Sequence, residues 1–203
     1  MYQGKLVIID GIDGAGKTFQ AKTLFKLLKK LNNKVILTKE PQNKNLIKLI
    51  KENKDSRTDL FLFLADRSLH YQKIIKWLKQ GYFIISDRSF PATLAYQYYA
   101  SDLKKIKEDF IFYLDHLSRF HLDPDLVFIL DLSPKIAFQR LKQKSRQSKI
   151  EKFEKIKFLT KVREGFLYFA KKFKWQIIDA SKSEEEVHLS IKEAIQNNLK
   201  LRL

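Results

Sequence analysis

The sequence predicts an α/β protein in which helices cover both faces of a parallel β-sheet. Short segments that are almost wholly apolar alternate along the chain with longer amphipathic segments, and such apolar strands are typical of sheets buried on both faces. The chain has 203 residues, of which 44% are hydrophobic, which is enough for one substantial core. We therefore expect a single domain over residues 1–203, with ligands at the carboxyl ends of the strands.

The pattern of apolar residues places the elements. Strands are predicted at Lys5–Asp10, Lys34–Thr38, Tyr82–Ser86, Leu126–Leu130 and Trp175–Asp179. Helices are predicted at Phe19–Leu31, Leu46–Lys51, Thr58–Leu78, Pro91–Ala100, Leu103–Phe120, Pro134–Gln143, Phe153–Phe173 and Glu184–Leu199. Residues 144–152 are rich in Lys, Arg, Ser and Gln without apolar periodicity, which indicates an exposed, mobile segment.

Composition excludes several classes of function. The chain has no cysteine, so disulfides and thiolate metal sites are excluded, and its four histidines lack ligand spacing. No apolar run approaches the ~20 residues of a membrane helix, and no signal-peptide pattern is present, so we expect a cytoplasmic protein without a membrane partner. The formal charge of +17 suits polyanionic ligands, but most lysines lie on the polar faces of predicted helices, and nucleic acid is not expected as the main partner.

One motif carries specific chemistry. Gly11-Ile12-Asp13-Gly14-Ala15-Gly16-Lys17-Thr18, here called the glycine loop, fits the phosphate-binding pattern G-x-x-x-x-G-K-[ST] between a predicted strand and a predicted helix. Backbone N–H groups of such a loop surround a phosphate, and the helix N-terminus adds positive partial charge. Lys17 should reach the transferring phosphate of ATP, and Thr18 should supply a hydroxyl to Mg²⁺.

Charged residues end two other predicted strands. Arg88 follows the third strand, and its planar fork of donors suits bidentate capture of a second phosphate. Asp87 could orient that arginine or hold a magnesium-bound water. Asp131 ends the fourth strand, and we interpret it as a helix-entry or capping residue.

The succession of motifs resembles bacterial thymidylate kinases from about Lys5 to Ala180. The glycine loop with Asp13 inside it is followed by Glu40-Pro41, by Phe63-Leu64-Ala65-Asp66-Arg67, by Asp87-Arg88 and by Ala95-Tyr96-Gln97, in the order of that family. Pro124-Asp125-Leu126 and the segment from Lys161 to Phe166 extend the match. The resemblance implies a P-loop kinase fold with a five-stranded parallel sheet, a homodimer built from helices, and transfer of the ATP γ-phosphate to dTMP.

The resemblance also implies roles for individual residues. Asp13 would contact the sugar 3′-hydroxyl and the metal region, and Arg88 would hold the acceptor phosphate. Phe63 would stack on thymine, Arg67 would bond its exocyclic oxygen, and Tyr96 would lie under the sugar. Further substrate contacts are assigned to Glu40, Pro41, Thr93 and Gln97, and further magnesium contacts to Asp13 and Asp87 beside Thr18.

Other interpretations of these residues stay open. Phe63 could be a core residue. Arg67 could be a surface or interface arginine paired with Asp66 or Asp59. Tyr96 could pack in an apolar stripe with Leu94 and Tyr99.

Residues 144–152 match the position of the family's lid. Arg140, Arg146 and Lys149 are candidates to cover the triphosphate, and Arg146 is our choice of catalytic cation, because Gly14 stands where some relatives have arginine in the loop. The segment could instead be a solvated basic loop. The sequence departs from the family at Lys39, Gln42, Asn43 and Lys152, which affects phosphate and lid contacts more than the class of reaction.

Other reactions remain as alternatives. Another nucleoside monophosphate or a deoxynucleoside could be the acceptor on the same scaffold. A nucleotide-dependent switch or a nucleic-acid-dependent ATPase is a more distant alternative, since motor ATPases commonly end a buried strand in Asp-Glu rather than Asp87-Arg88.

Overall fold

A five-stranded parallel sheet forms the centre of the protein. The computed structural model describes residues 2–31, 34–52, 55–142 and 149–200. Within these ranges the sheet has the order β2-β3-β1-β4-β5, and its strands are β1 Lys5–Gly11, β2 Val35–Lys39, β3 Phe83–Asp87, β4 Leu126–Asp131 and β5 Gln176–Asp179. The predicted fold class is confirmed, and each predicted strand bound lies within one residue of the observed one.

The central strand β1 sets the position of the glycine loop. Val7, Ile8 and Ile9 are completely buried because β1 lies between β3 and β4 and is covered on both faces. In the register of these strands, Ile9 lies opposite Asp87 of β3, and Gly11 lies opposite Leu130 of β4. The glycine loop therefore leaves the sheet at the edge where β3 and β4 also end.

Helices pack on both faces of the sheet. The described α-helices are α1 Lys17–Lys30, α2 Lys44–Glu52, α3 Ser56–Lys79, α4 Phe90–Ala92, α5 Glu108–Ser118, α6 Pro134–Lys142, α7 Lys149–Phe173 and α8 Glu184–Leu199. None of the helices in the described ranges is both long and apolar enough to span a membrane. The N-terminus of α3 is capped by Asp55, whose carboxylate accepts the Thr58 N–H at 2.8 Å. Ser183 and Glu186 cap α8 reciprocally, as a capping box.

The predicted helix Pro91–Ala100 is wrong in type. Only the three residues of α4 are α-helical, and Thr93–Tyr99 form a π-helix, in which the Ala100 N–H bonds to the Ala95 carbonyl. This segment packs closely on α7: a Cβ on Gly165 would lie 2.9 Å from the Cβ of Tyr99. The π-helix therefore packs against Gly165 of α7, and the spacing of apolar residues in the sequence does not predict this contact.

Two further predicted helices have different bounds. The helix predicted at Leu103–Phe120 is divided into a 3₁₀ turn, Asp102–Lys105, and α5, because Ile106 and Lys107 have extended backbones. Helix α7 begins at Lys149 rather than Phe153, so residues 149–152 of the predicted mobile segment are helical. Those four residues contain neither Gly nor Pro, and nothing in them stops the helix. Residues 144–148 lie outside the described residues.

Phe169 of α7 is at the centre of an aromatic cluster. Its ring is fully buried and lies 5.0–6.3 Å, between ring centroids, from those of Tyr98, Tyr99, Phe112, Tyr168 and Phe173. These contacts join α7 to the π-helix and to α5.

We expect Phe169→Ala to lower the free energy of unfolding by about 3–5 kcal/mol, because it leaves a cavity that the surrounding rings fill only in part. Leu189→Ala on the exposed side of α8 is the control and should cost no more than about 0.5 kcal/mol. Urea denaturation of both variants measures the difference. Equal losses in the two variants would contradict the central position of Phe169.

Candidate active site

The glycine loop has the backbone of an anion-binding site. Gly14 and Gly16 have φ angles of +90° and +95°, which residues with a Cβ rarely adopt. A Cβ on Gly14 would also lie 2.7 Å from the carbonyl oxygen of Ala137, so the loop packs directly against α6. Helix α1 begins at Lys17 with no acidic residue in its first turn, and its free N–H groups favour a phosphate.

Lys17 lies inside the loop. Its ammonium donates to the carbonyl oxygens of Gly11 and Ile12, both at 2.9 Å, and lies 3.5 Å from Oδ1 of Asp13. The side chain is largely buried, and this burial, together with the nearby Arg88, lowers its pKa. The ammonium of Lys17 is therefore held inside the glycine loop, where it could contact a bound phosphate.

Arg88 reaches the glycine loop from β3. Its backbone N–H donates to Ile9 at 3.0 Å, and its φ of +75° turns the side chain back across the end of β1. The guanidinium pairs with Oδ1 of Asp13, the same oxygen that Lys17 approaches. Burial lowers the pKa of Arg88, but the nearby acidic groups, chiefly the carboxylates of Asp13 and Asp10, together outweigh it and hold that pKa above its usual value. Two cations from separate strand ends thus meet at one carboxylate oxygen.

Asp10 is the residue that fixes this junction, and sequence reasoning missed it. It is fully buried, with Oδ1 accepting the Gly11 N–H at 2.9 Å and Oδ2 accepting the N–H groups of Ser89 and Ala92 at 3.1 Å. One carboxylate therefore joins the start of the glycine loop to the segment after Arg88. Burial raises its pKa to about 6, against the lowering effect of Arg88 and Lys17.

Thr18 and Asp87 form an oxygen pair suited to magnesium. The Thr18 hydroxyl donates to Oδ2 of Asp87 at 2.6 Å, and both are the hard oxygen ligands that Mg²⁺ takes. Asp13 is less free for this role, because its Oδ1 already contacts Lys17 and Arg88. Among the described residues no cluster of three or more carboxylate or histidine side chains could bind a metal alone. Phosphate oxygens would have to complete the coordination.

Tyr96 touches both sides of the junction. The Asp13 backbone N–H donates to the Tyr96 hydroxyl at 3.0 Å, and the Arg88 guanidinium lies 5.2 Å from the centre of the ring. The ring meets Phe158 and Phe166 edge-on, and burial raises the pKa of the phenol. Gln97 is half-buried beside it, and its carbonyl accepts a bond from Ser101.

Arg67 is buried in a polar network, and the alternative of a surface arginine is wrong. The side chain is 1% exposed. It donates from Nε to Glu40 at 3.0 Å, from Nη1 to Asp115 at 2.9 Å and from Nη2 to Thr93 at 2.8 Å. Asp66, the partner considered from the sequence, instead accepts backbone N–H groups of Gln42 and Asn43.

The surroundings of Arg67 extend this network. Glu40 also accepts from His70, whose other nitrogen bonds to Thr38. Burial raises the pKa of Glu40, but Arg67 and His70 reverse the effect and keep it below the usual value. Phe63 lies one turn before Arg67 on the same face of α3 and is half-buried, as a residue at the edge of a pocket would be.

A small cavity lies beside the glycine loop. Its volume is about 220 Å³, and its lining includes Gly14, Gly16, Arg140, Lys182 and Val187. Arg140 is exposed, with Nη2 3.4 Å from the carbonyl oxygen of Ala180. Arg146, the predicted catalytic cation, lies outside the described residues.

Comparison with known proteins decides the family. The family model described as Thymidylate kinase matches residues 9–191. The chain belongs to the thymidylate kinase family. Similar proteins named thymidylate kinase include one from Carboxydothermus hydrogenoformans, 36% identical over 200 residues (94% of this chain and 96% of that one), and one from Prochlorococcus marinus strain MIT 9312, 38% identical over 211 residues (97% of each). A probable thymidylate kinase from Pyrobaculum aerophilum is 36% identical, over 97% of this chain and 98% of that one.

In this member of the thymidylate kinase family, Asp131 at the end of β4 forms an ion pair with helix α7. Both carboxylate oxygens pair with Arg163 of α7, at 2.6 Å from Nε and 2.8 Å from Nη2. The hydrogen bonds raise the pKa of Arg163. The interpretation of Asp131 as a helix-capping residue is wrong, because its side chain binds α7 to the sheet.

Asp10 makes the stability of this thymidylate kinase family member depend on pH. Its folded pKa of about 6 exceeds the value of 3.8 for a free side chain, so the stabilising protonated form is present below pH 4 and lost as the pH rises through 6. Relative to Asp10→Asn, which cannot titrate, the wild type should lose about 2.5 kcal/mol between pH 4 and pH 7. Urea titrations at several pH values measure this difference.

Glu186→Gln is the control with the opposite sign. The bonds from Ser183 lower the pKa of Glu186, so this carboxylate stabilises the fold above its unfolded pKa, and its contribution is lost as the pH falls. A wild type that gains stability relative to Asp10→Asn as the pH rises would show that Asp10 is buried as a charged group.

Proposed function

We propose that the protein transfers the γ-phosphate of ATP to dTMP, giving dTDP and ADP. The observation that carries the proposal is the meeting of Lys17 and Arg88 at Oδ1 of Asp13. Lys17 belongs to a phosphate-binding loop, and Arg88 presents a guanidinium at the neighbouring strand end. Two phosphates bound by these cations would lie side by side, which is the geometry that phosphoryl transfer requires.

ATP is assigned to the glycine loop. The N–H groups of Gly14, Gly16, Lys17 and Thr18 in this loop would bind its phosphates, and the Lys17 ammonium would neutralise charge as it moves between donor and acceptor. The cavity of about 220 Å³ extends from Gly14 and Gly16 towards Arg140. We assign the rest of the nucleotide to this cavity.

The acceptor is assigned to the side of Arg88 and α3. Arg88 would bind the dTMP phosphate, Asp13 the 3′-hydroxyl, and Tyr96 the face of the sugar. Phe63 would stack on the base, with Pro41 and Gln97 at its margins. Membership of the thymidylate kinase family supports this assignment, as do the contacts of Asp13 with Arg88 and Tyr96.

Arg67 has the donors that a base carbonyl needs. Its guanidinium carries five N–H groups, and three of them donate to Glu40, Asp115 and Thr93. Those acceptors hold the group in a fixed orientation and leave donor capacity on the two terminal nitrogens. A pyrimidine carbonyl could accept there, whereas an exocyclic amino group could not.

The chemistry needs no general base. The attacking oxygen belongs to the acceptor phosphate, which is anionic near neutral pH, so catalysis rests on orientation and on charge neutralisation. Lys17 and Arg88 reduce the repulsion between the two anions. Arg146 from the 144–152 lid would add a third cation and help exclude water.

Magnesium is assigned to Thr18 and Asp87, with Asp13 nearby. When bound, Mg²⁺ neutralises and orients the phosphates of ATP. The protein's own contribution is the pair of oxygens 2.6 Å apart at the first turn of α1 and the end of β3.

A homodimer is proposed from an exposed apolar surface on α3 and α5. Phe61 and Leu69 on α3 are more than half exposed. Phe110, Tyr113 and Leu117 are at least half exposed and share one face of α5 at helical spacing. Helices α3 and α5 contact each other, and large apolar side chains grouped at the surface usually mark a protein–protein interface. The cytoplasm is proposed as the compartment.

A panel of acceptors tests the reaction. We expect phosphorylation of dTMP to exceed that of dUMP, UMP, CMP and thymidine, measured as ADP formed with each acceptor. If another monophosphate is phosphorylated faster than dTMP, that monophosphate is the substrate, and the protein is still a nucleoside monophosphate kinase. ATP hydrolysis stimulated by DNA, without phosphorylation of any acceptor, would remove the kinase assignment.

Arg88→Lys tests the acceptor site. Lysine keeps the charge but loses the bidentate fork, so kcat/KM for dTMP should fall about 100-fold, with little change in KM for ATP. Arg57→Lys, at an exposed position in the first turn of α3, is the matched control and should leave both unchanged. If Arg88→Lys instead raises the KM for ATP, Arg88 belongs to the ATP site rather than to the dTMP site.

Leu117→Glu tests the dimer. A buried glutamate would destabilise an apolar interface, so the variant should be a monomer of 24.1 kDa by light scattering, while the wild type has twice that mass. Leu189→Glu, on the exposed face of α8, should remain dimeric. A wild type that is already monomeric would contradict the proposed interface.

A further inference from the structure

Asp115 is a buried carboxylate to which the proposed reaction assigns no role. It lies on α5 and is 2% exposed. Its Oδ1 accepts from Nη1 of Arg67 at 2.9 Å, and its Oδ2 accepts from Nε of Arg119 at 2.8 Å. Each carboxylate oxygen therefore binds a different arginine, and Asp115 joins the arginine assigned to the base to an arginine at the end of its own helix.

The bond to Asp115 fixes the part of Arg67 that would meet the base. Glu40 accepts from Nε, at the inner end of the guanidinium, whereas Asp115 and Thr93 accept from the two terminal nitrogens. The N–H groups that remain for a ligand belong to those terminal nitrogens. Because the guanidinium is planar and rigid, acceptors at both terminal nitrogens also fix the direction of the remaining N–H groups.

The four buried charges of this network cancel. Arg67 and Arg119 are cations, Glu40 and Asp115 are anions, and their side chains are between 1% and 6% exposed. Burial lowers the pKa of Arg67, but the nearby acidic groups, chiefly the carboxylates of Glu40 and Asp115, together outweigh it and hold that pKa above its usual value. Loss of the Asp115 charge alone would leave two buried cations with one anion, which is costly.

Arg119 is itself held on its far side by the turn that follows α5. Its Nη1 donates to the Leu122 carbonyl oxygen at 2.6 Å. The chain reaches Leu122 through Phe120 and His121, whose φ angles of +54° and +56° are uncommon for residues other than glycine. This turn fixes Arg119, and Arg119 in turn fixes the second oxygen of Asp115.

We propose that Asp115 is a positioning residue that sets the selectivity for a pyrimidine carbonyl, acting through Arg67 and held in place by Arg119. The exocyclic carbonyl of thymine would accept the N–H groups that this network directs. An amino group at the same position would place donor against donor. The inference rests on the proposed function, because it takes dTMP as the acceptor.

The ratio of kcat/KM for dTMP to kcat/KM for 5-methyl-dCMP tests the proposal. The two bases have the same methyl group and differ at the exocyclic carbonyl, and the ratio does not depend on the fraction of folded enzyme. In Asp115→Asn one oxygen must serve both Arg67 and Arg119, so the ratio should fall at least about tenfold, with the KM for ATP unchanged. Asp115→Glu keeps the charge but displaces both oxygens by one methylene group, so it should also lower the ratio.

A second substitution should restore the selectivity. Adding Arg119→Met to Asp115→Asn removes the competing donor and leaves Arg67 balanced by Glu40. The asparagine oxygen can then accept from Arg67, and the double variant should recover most of the wild-type ratio. A residue needed only for folding would not be rescued by the loss of a further buried ion pair.

Two single variants are the controls. Asp109→Asn makes the same substitution at an exposed position of α5 and should leave the ratio unchanged. Arg119→Met alone keeps the bond from Arg67 to Asp115, so it should lower Tm, because a buried carboxylate loses a partner, but retain the ratio.

Two different failures can be told apart. If the wild type phosphorylates dTMP but the ratio is unchanged in Asp115→Asn or Asp115→Glu, or if the double variant is no more selective than Asp115→Asn, this inference is wrong and the kinase assignment stands. A wild type that phosphorylates no dTMP would remove the proposed function and this inference together.

Discussion

The parallel pairing of β1 with β3 is the constraint on which the active site depends. It sets Ile9 opposite Asp87, so the glycine loop and Arg88 leave the sheet at neighbouring positions. The Arg88 N–H continues the pairing by donating to Ile9, and its left-handed backbone turns the guanidinium towards Asp13. Asp10 then holds both segments through three backbone N–H groups. Without this pairing, Lys17 and Arg88, the two cations proposed to bind phosphate, would lie in different parts of the protein.

Buried charge in this protein is organised around arginines with several partners. Arg67 lies between Glu40 and Asp115, and Asp115 also accepts from Arg119, which reaches Asp123 at the surface. Charges of alternating sign therefore run from the region assigned to the base to Asp123 at the surface. A buried ion needs such partners, because its lost hydration is otherwise uncompensated. The orientation of Arg67 is thus set by residues on three other parts of the chain, Glu40, Thr93 and Asp115.

The sequence was sufficient for the sheet, the glycine loop and the order of motifs, because these depend on local patterns of apolar residues and glycines. It was not sufficient for the π-helix, which depends on the close approach of Tyr99 to Gly165 on a distant helix. Asp10 resembled the last residue of a strand, and Asp115 a polar position on an amphipathic helix. Their partners are 79 and 48 residues away, at Ser89 and Arg67. Asp131 was misread for the same reason, since its partner Arg163 is on α7.

The two carbonyl oxygens that accept from Lys17 would affect how the proposed donor nucleotide binds. The ammonium is already solvated by the peptide groups of its own loop, so an arriving phosphate exchanges with them rather than meeting an unsatisfied charge. The measured affinity for a nucleotide therefore reports the preference of one cation for a phosphate over peptide oxygens, which is smaller than the full strength of the ion pair.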